Sequence, residues 1–197
     1  MLVLMHGVGS NELSMAAIAP VFDDRFLVLS VRSPMELAPF SYAWLDVTQT
    51  PDGPTIDPDE IDEATSRLGS FIDEAGAAYD ADPGRIYVAG FSQGGIMALA
   101  TLLINPDQVS GAVCMSGRLP PEVIPKVAPQ DRLRDKPVLI VHGTGDATLQ
   151  VGYGRSAYRT LQGLHVAAEY REFDMGHTAS DESLALVSWW LTDRVPW

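Results

Sequence analysis

The stretch Gly90-Phe91-Ser92-Gln93-Gly94-Gly95 lies between two runs of different period. Arg85-Ile86-Tyr87-Val88-Ala89 before it is β-branched and aromatic, whereas Gln93 to Ile104 after it is apolar on a helical period. Ser92 therefore stands where a strand turns sharply into a helix. Side chains at the flanking positions of such a turn would collide with their surroundings, which is the physical use of Gly90 and Gly94. The strained turn exposes the serine hydroxyl above the sheet. A helix starting at Gln93 aims unpaired N–H groups and its positive dipole end at that spot, where negative charge develops during acyl transfer.

Outward from this turn, strand and helix signals alternate. Leu2 to Met5 reads as a short buried strand running into His6-Gly7-Val8-Gly9-Ser10-Asn11, and a helix is expected from Leu13 to Ala19. Phe26 to Val31 is a second apolar run, followed by a long loop from Arg32 to Pro58 that carries Trp44, Asp46 and several prolines. Asp57-Pro58-Asp59-Glu60 combines an acidic N-cap, a first-turn proline and a further acid three residues on, which starts a helix reaching about Tyr79. Beyond the central helix, strands are expected at Val109 to Met115, Pro137 to Val141 and Val166 to Phe173, with helices near Val151 to Leu161 and Ser180 to Thr192. Continuous apolar strands between amphipathic helices indicate an α/β, doubly wound fold: a mostly parallel sheet of about six strands with helices on both faces. The 197 residues suit a single domain, 1–197, with one core.

In such sheets ligands bind beyond the carboxyl ends of the strands, where His6, Ser92, Asp146 and His177 all fall. A serine hydroxyl needs a base, and the base needs a third group to fix its tautomer. Of four histidines, His6 and His142 precede glycines at strand ends, where loop-shaping hydrogen bonds explain them, and His165 opens the last strand. His177, in the loop after that strand, is free to reach Ser92. The acid is assigned to Asp146 in His142-Gly143-Thr144-Gly145-Asp146; Asp174, close to His177 on the same loop, is its rival and reads as bracing the turn. The order Ser92, Asp146, His177 is that of α/β-hydrolases. The oxyanion amides are assigned to Gln93 and to Val8, with Gly9 the alternative. Trp44, Met115, Leu119 and Leu149 are candidates to line a substrate pocket, although each equally fits packing.

The formal net charge of −13 argues against nucleic-acid partners and disfavours polyanionic substrates. Cys114, the only cysteine, rules out an internal disulfide and suits core packing. No signal segment or membrane span is evident, so a cytoplasmic location is the default expectation. Neither H-x-x-x-H nor HExxH spacing occurs to support a metal hydrolase, and no metal is expected.

His6-Gly7-Val8-Gly9, Trp44-Leu45-Asp46, Gly90-Phe91-Ser92-Gln93-Gly94-Gly95, His142-Gly143-Thr144-Gly145-Asp146 and Gly176-His177 together resemble the phospholipase/carboxylesterase family of α/β-hydrolases, which includes acyl-protein thioesterases. The resemblance runs nearly end to end. It implies a serine esterase that hydrolyses small carboxylic esters or thioesters without a cofactor, using Ser92, Asp146 and His177 with the Val8 and Gln93 amides. Two departures stand out. Thr148-Leu149-Gln150-Val151 replaces the Val-Pro often found after the acid, and the chain begins with the strand that one or two others usually precede. The second departure puts Phe26 to Val31 at a sheet edge without lysine or proline, so either the loop from Arg32 to Pro58 folds back over that edge or, the favoured of the two, a second copy covers it in a homodimer. A cysteine-dependent dienelactone-hydrolase type is disfavoured by Ser92. A non-catalytic binding protein on the same fold is the alternative. Neutral esters of short or medium acyl chains are the expected substrates, ahead of acyl-CoA.

Overall fold

The computed structural model describes residues 1–51 and 53–195. In chain order the elements are β1 (Leu2–Met5), α1 (Glu12–Ala16), β2 (Val28–Val31), β3 (Met35–Ala38), β4 (Ser41–Ala43), β5 (Val47–Thr50), β6 (Gly53–Ile56), α2 (Pro58–Ala78), β7 (Tyr87–Phe91), α3 (Gln93–Ile104), β8 (Gly111–Met115), α4 (Gln130–Leu133), β9 (Pro137–Gly143), α5 (Val151–Gly163), β10 (Ala167–Phe173) and α6 (Asp181–Thr192). Six strands form one sheet in the order β10-β9-β8-β7-β1-β2, with every neighbouring pair parallel. The inner strands β1 and β8 are buried at every residue, while β2 and β10 at the edges are not.

Alternation along each strand sorts the core onto two faces. Val3, Met5, Val88 and Ile140 pack with Ile61 and Ile72 of α2, Leu99 of α3 and Leu161 of α5. Leu2, Leu4, Val113 and Val141 pack on the opposite face with Met15 of α1 and with Val187 and Trp190 of α6. Helices therefore cover both faces, as the continuous apolar strands require. Helix α2 starts where its signature places it, with the Asp57 carboxylate accepting the Asp59 N–H at 2.9 Å and Pro58 in the first turn.

Three expectations need correction. The segment from Arg32 to Pro58 is not a plain loop: it folds into two antiparallel hairpins, β3–β4 and β5–β6. The first is tied to the chain after β1, since Gly9 N–H donates to Tyr42 O at 2.9 Å and Asn11 Nδ2 donates to Phe40 O at 2.8 Å. The helix expected from Leu13 to Ala19 ends at Ala16, and Pro20, which cannot extend it, sits in a separate 3-10 turn at Ala19–Val21. His165 does not open β10; it lies in the turn before it, at φ 58°.

Candidate active site

The turn between β7 and α3 is built as its glycines dictate. Ser92 is at φ 54° and ψ −115°, and its N–H donates to Met115 O at 2.8 Å, which holds the strained residue against β8. A Cβ on Gly90 would lie 2.0 Å from Gly94 O, and one on Gly94 would lie 2.1 Å from Met5 O. Neither position admits a side chain. Ser92 Oγ is 3.0 Å from His177 Nε2, and His177 Nδ1 is 2.7 Å from Asp146 Oδ2. Three residues far apart in the chain thus form one continuous hydrogen-bonded line. His177 also packs against Phe91, with ring centroids 4.9 Å apart.

Asp146 is buried and fully committed. Its Oδ1 accepts the N–H groups of Thr148 at 2.9 Å and Leu149 at 2.8 Å. Burial pushes its carboxyl up, but the bonds from His177 and from these two amides outweigh that, and it lies below its ordinary value. The carboxylate is therefore ionised where it meets the imidazole. His142 approaches the same Oδ2 at 3.5 Å and bonds Leu149 O through Nε2 at 2.7 Å, so it braces the acid loop. Asp174, the sequence rival, is exposed, and the imidazole pairs with Asp146 instead.

The loop after β1 is shaped by His6. Its Nε2 accepts the Ser33 N–H at 3.1 Å, which leaves Nδ1 protonated to donate to Gly7 O at 2.8 Å. Burial lowers its pKa, in keeping with a neutral ring. Val8, on this loop, is exposed beside Ser92. Among the described residues neither the Val8 nor the Gln93 amide N–H has a protein acceptor. The side chain of Gln93 links α3 to the segment after β4, since its Oε1 accepts the Trp44 N–H and its Nε2 donates to Leu45 O, both at 2.7 Å.

Two cavities of about 440 Å³ each meet at Val8, Ser92 and Thr148. The first is lined by Met15, Phe91, Met115 and His177, the second by Leu45, Ile96, Arg118, Leu149 and Tyr153. Of the candidate pocket residues, Met115 and Leu149 line these spaces. Trp44 and Leu119 do not. Trp44 is buried with its Nε1 donating to His6 O at 2.9 Å and borders a separate cleft near Glu60, while Leu119 packs on the core. Arg118, the Gln93 side chain and His142 escape sequence reasoning as site residues; only the His142-x-x-x-Asp146 spacing signals one of them. Among the described residues no three His, Cys, Asp or Glu side chains gather as metal ligands would, and no helix is long and apolar enough to cross a membrane.

Comparison with known proteins agrees with this architecture. The model of the phospholipase/carboxylesterase family matches residues 1–193. The chain belongs to this family. A probable carboxylesterase of Oryza sativa subsp. japonica is 32% identical over 97% of this chain and 86% of its own. Another protein of that plant, a probable inactive carboxylesterase, is 26% identical over 96% and 82%. Among solved structures, the Bacillus cereus carboxylesterase superposes with a TM-score of 0.82 at 24% identity, covering 99% of this chain and 88% of that one, which establishes the α/β-hydrolase fold. Phospholipase/carboxylesterase family membership thus rests on the whole length of the chain, not on the serine turn alone.

Proposed function

We propose that this family member is a serine hydrolase that cleaves carboxylic esters or thioesters of short to medium acyl chains through an acyl-enzyme on Ser92. The observation that carries the reading is the unbroken line from Ser92 Oγ through His177 to Asp146. In the first half-reaction Oγ attacks the acyl carbon while its proton passes to His177 Nε2. The carbonyl oxygen becomes an oxyanion facing the free N–H groups of Val8 and Gln93, at the positive end of the twelve-residue helix α3. Asp146 holds Nδ1 protonated and stabilises the imidazolium. When the carbon–oxygen or carbon–sulfur bond breaks, Nε2 returns the proton to the leaving group. Water, deprotonated in turn by His177, then releases the acid and restores Ser92.

Hydrolysis of p-nitrophenyl butyrate by wild type and Ser92→Ala tests this reading. The variant is expected to fold normally and to lose several orders of magnitude in kcat, and a fluorophosphonate, but not a chelator, should abolish wild-type activity. Comparable turnover in Ser92→Ala would end it. A second reading, a binding protein on a hydrolase fold, is raised by the relative named inactive. Turnover that depends on Ser92 would exclude that alternative.

A further inference from the structure

Arg118 lines the second cavity yet is only 4% exposed, and among the described residues its buried Nη2 has no hydrogen-bond partner. A guanidinium stays charged, and burying one without a partner is costly enough that proteins seldom do so without a use for it. Glu122 is near enough to attract Arg118, as is Tyr153, but burial dominates and pushes the guanidinium down from its ordinary value. Glu122 makes no hydrogen bond to it: Oε1 accepts the Ile56 N–H at 3.1 Å, and Oε2 is itself unpartnered among the described residues. The cavity's carboxylate, Asp46, is exposed, where water screens it.

The two cavities divide the substrate. His177, which must protonate the departing oxygen, lines the first and not the second. The alcohol therefore leaves through the first, and the acyl chain lies in the second, along Leu149 toward Arg118. Resting on the ester-hydrolase reading above, we propose that the preferred acyl group ends in a carboxylate, so that the substrates are half-esters of dicarboxylic acids and Arg118 sets that specificity. A carboxylate matches the planar fork of a guanidinium in two parallel hydrogen bonds, and the burial of Arg118 strengthens both. Hydrolysis would yield a dicarboxylic acid and an alcohol, with Arg118 taking no part in bond making.

The test compares monoethyl esters of succinic, glutaric, adipic and suberic acids with neutral ethyl esters of equal acyl carbon number, followed by acid release in a pH-stat. For at least one length the half-ester is expected to have the higher kcat/KM by about ten- to a hundredfold, the reach of one charge-assisted contact. That ratio should collapse toward one in Arg118→Gln and fall between the two in Arg118→Lys. Wild-type ratios near one at every length, with the neutral esters still hydrolysed, would overturn the inference and leave the esterase reading intact. The same holds if Arg118→Gln slows both esters equally, which is the signature of a counter-charge to Glu122. Should no ester be cleaved, the underlying reading fails, and calorimetry of the four dicarboxylates with Ser92→Ala protein decides the site. Binding that is lost in Arg118→Gln and weakened in Arg118→Lys upholds it, and no binding, or binding unchanged in Arg118→Gln, overturns it.

Discussion

Asp146 spends both carboxylate oxygens inside the site, on two amides and one imidazole, whereas Asp174 is exposed. Asp146→Asn is therefore expected to lower kcat/KM by orders of magnitude and Asp174→Asn to have little effect, measured on one ester. The reverse ranking would reassign the acid. His6 carries a different prediction. Its folded pKa lies below the ordinary 6.5, so the unfolded chain binds a proton more readily. The stability it contributes is present above pH 6.5 and is lost as pH falls from there through the lowered folded value. Thermal melting should show His6→Gln well below wild type at pH 8 and the gap narrowing by pH 5; a constant gap would remove His6 as the titrating group. The proposed acyl-transfer residues are legible in sequence because each follows a glycine-marked strand end. Arg118 is not, since an arginine in a proline-rich loop reads as exposed until topology shows where the loop runs.

At the scale of elements, α3 and the segment between the two hairpins are joined through one side chain. Gln93 satisfies the Trp44 N–H and the Leu45 carbonyl, both of which are buried. Gln93→Ala leaves those two groups orphaned, at about 1–3 kcal/mol for each. Urea denaturation is expected to report a loss of that order, with esterase KM rising because Leu45 lines the second cavity. An unchanged midpoint would mean that water replaces the amide. The sheet strands are readable as apolar runs and the long helices by their period. The hairpin strands are about as short as β1 and β2 but mix polar with apolar residues, and Pro54 interrupts one of them, so neither a run nor an alternation marks them. The dipeptide Asp52-Gly53 is the one hairpin signal that the segment offers.

Over the whole molecule, charge and sheet order make separate predictions. With a net charge of −13, the protein should process butyryl-CoA less efficiently than a neutral butyryl ester at low salt, as kcat/KM for the pair would show. A preference for the CoA thioester would refute this. Strand β2 ends the sheet, and the hairpins pair with themselves and, through the Ser10–Tyr42 bridge, with the loop after β1, so among the described residues no strand pairs with its outer side. We propose that a second copy covers it. Light scattering should then give twice 21.3 kDa, while a mass fixed at 21.3 kDa up to high concentration would mean a monomer. Strand order also has a consequence in time. From β7 the sheet widens in the order of synthesis, through β8 and β9 to β10, so a ribosome delivers the proposed nucleophile first, its acid next and its base last. Until residue 177 emerges, the nascent chain carries the proposed nucleophile without its proposed base, so activity is expected only after all four of these strands have been delivered.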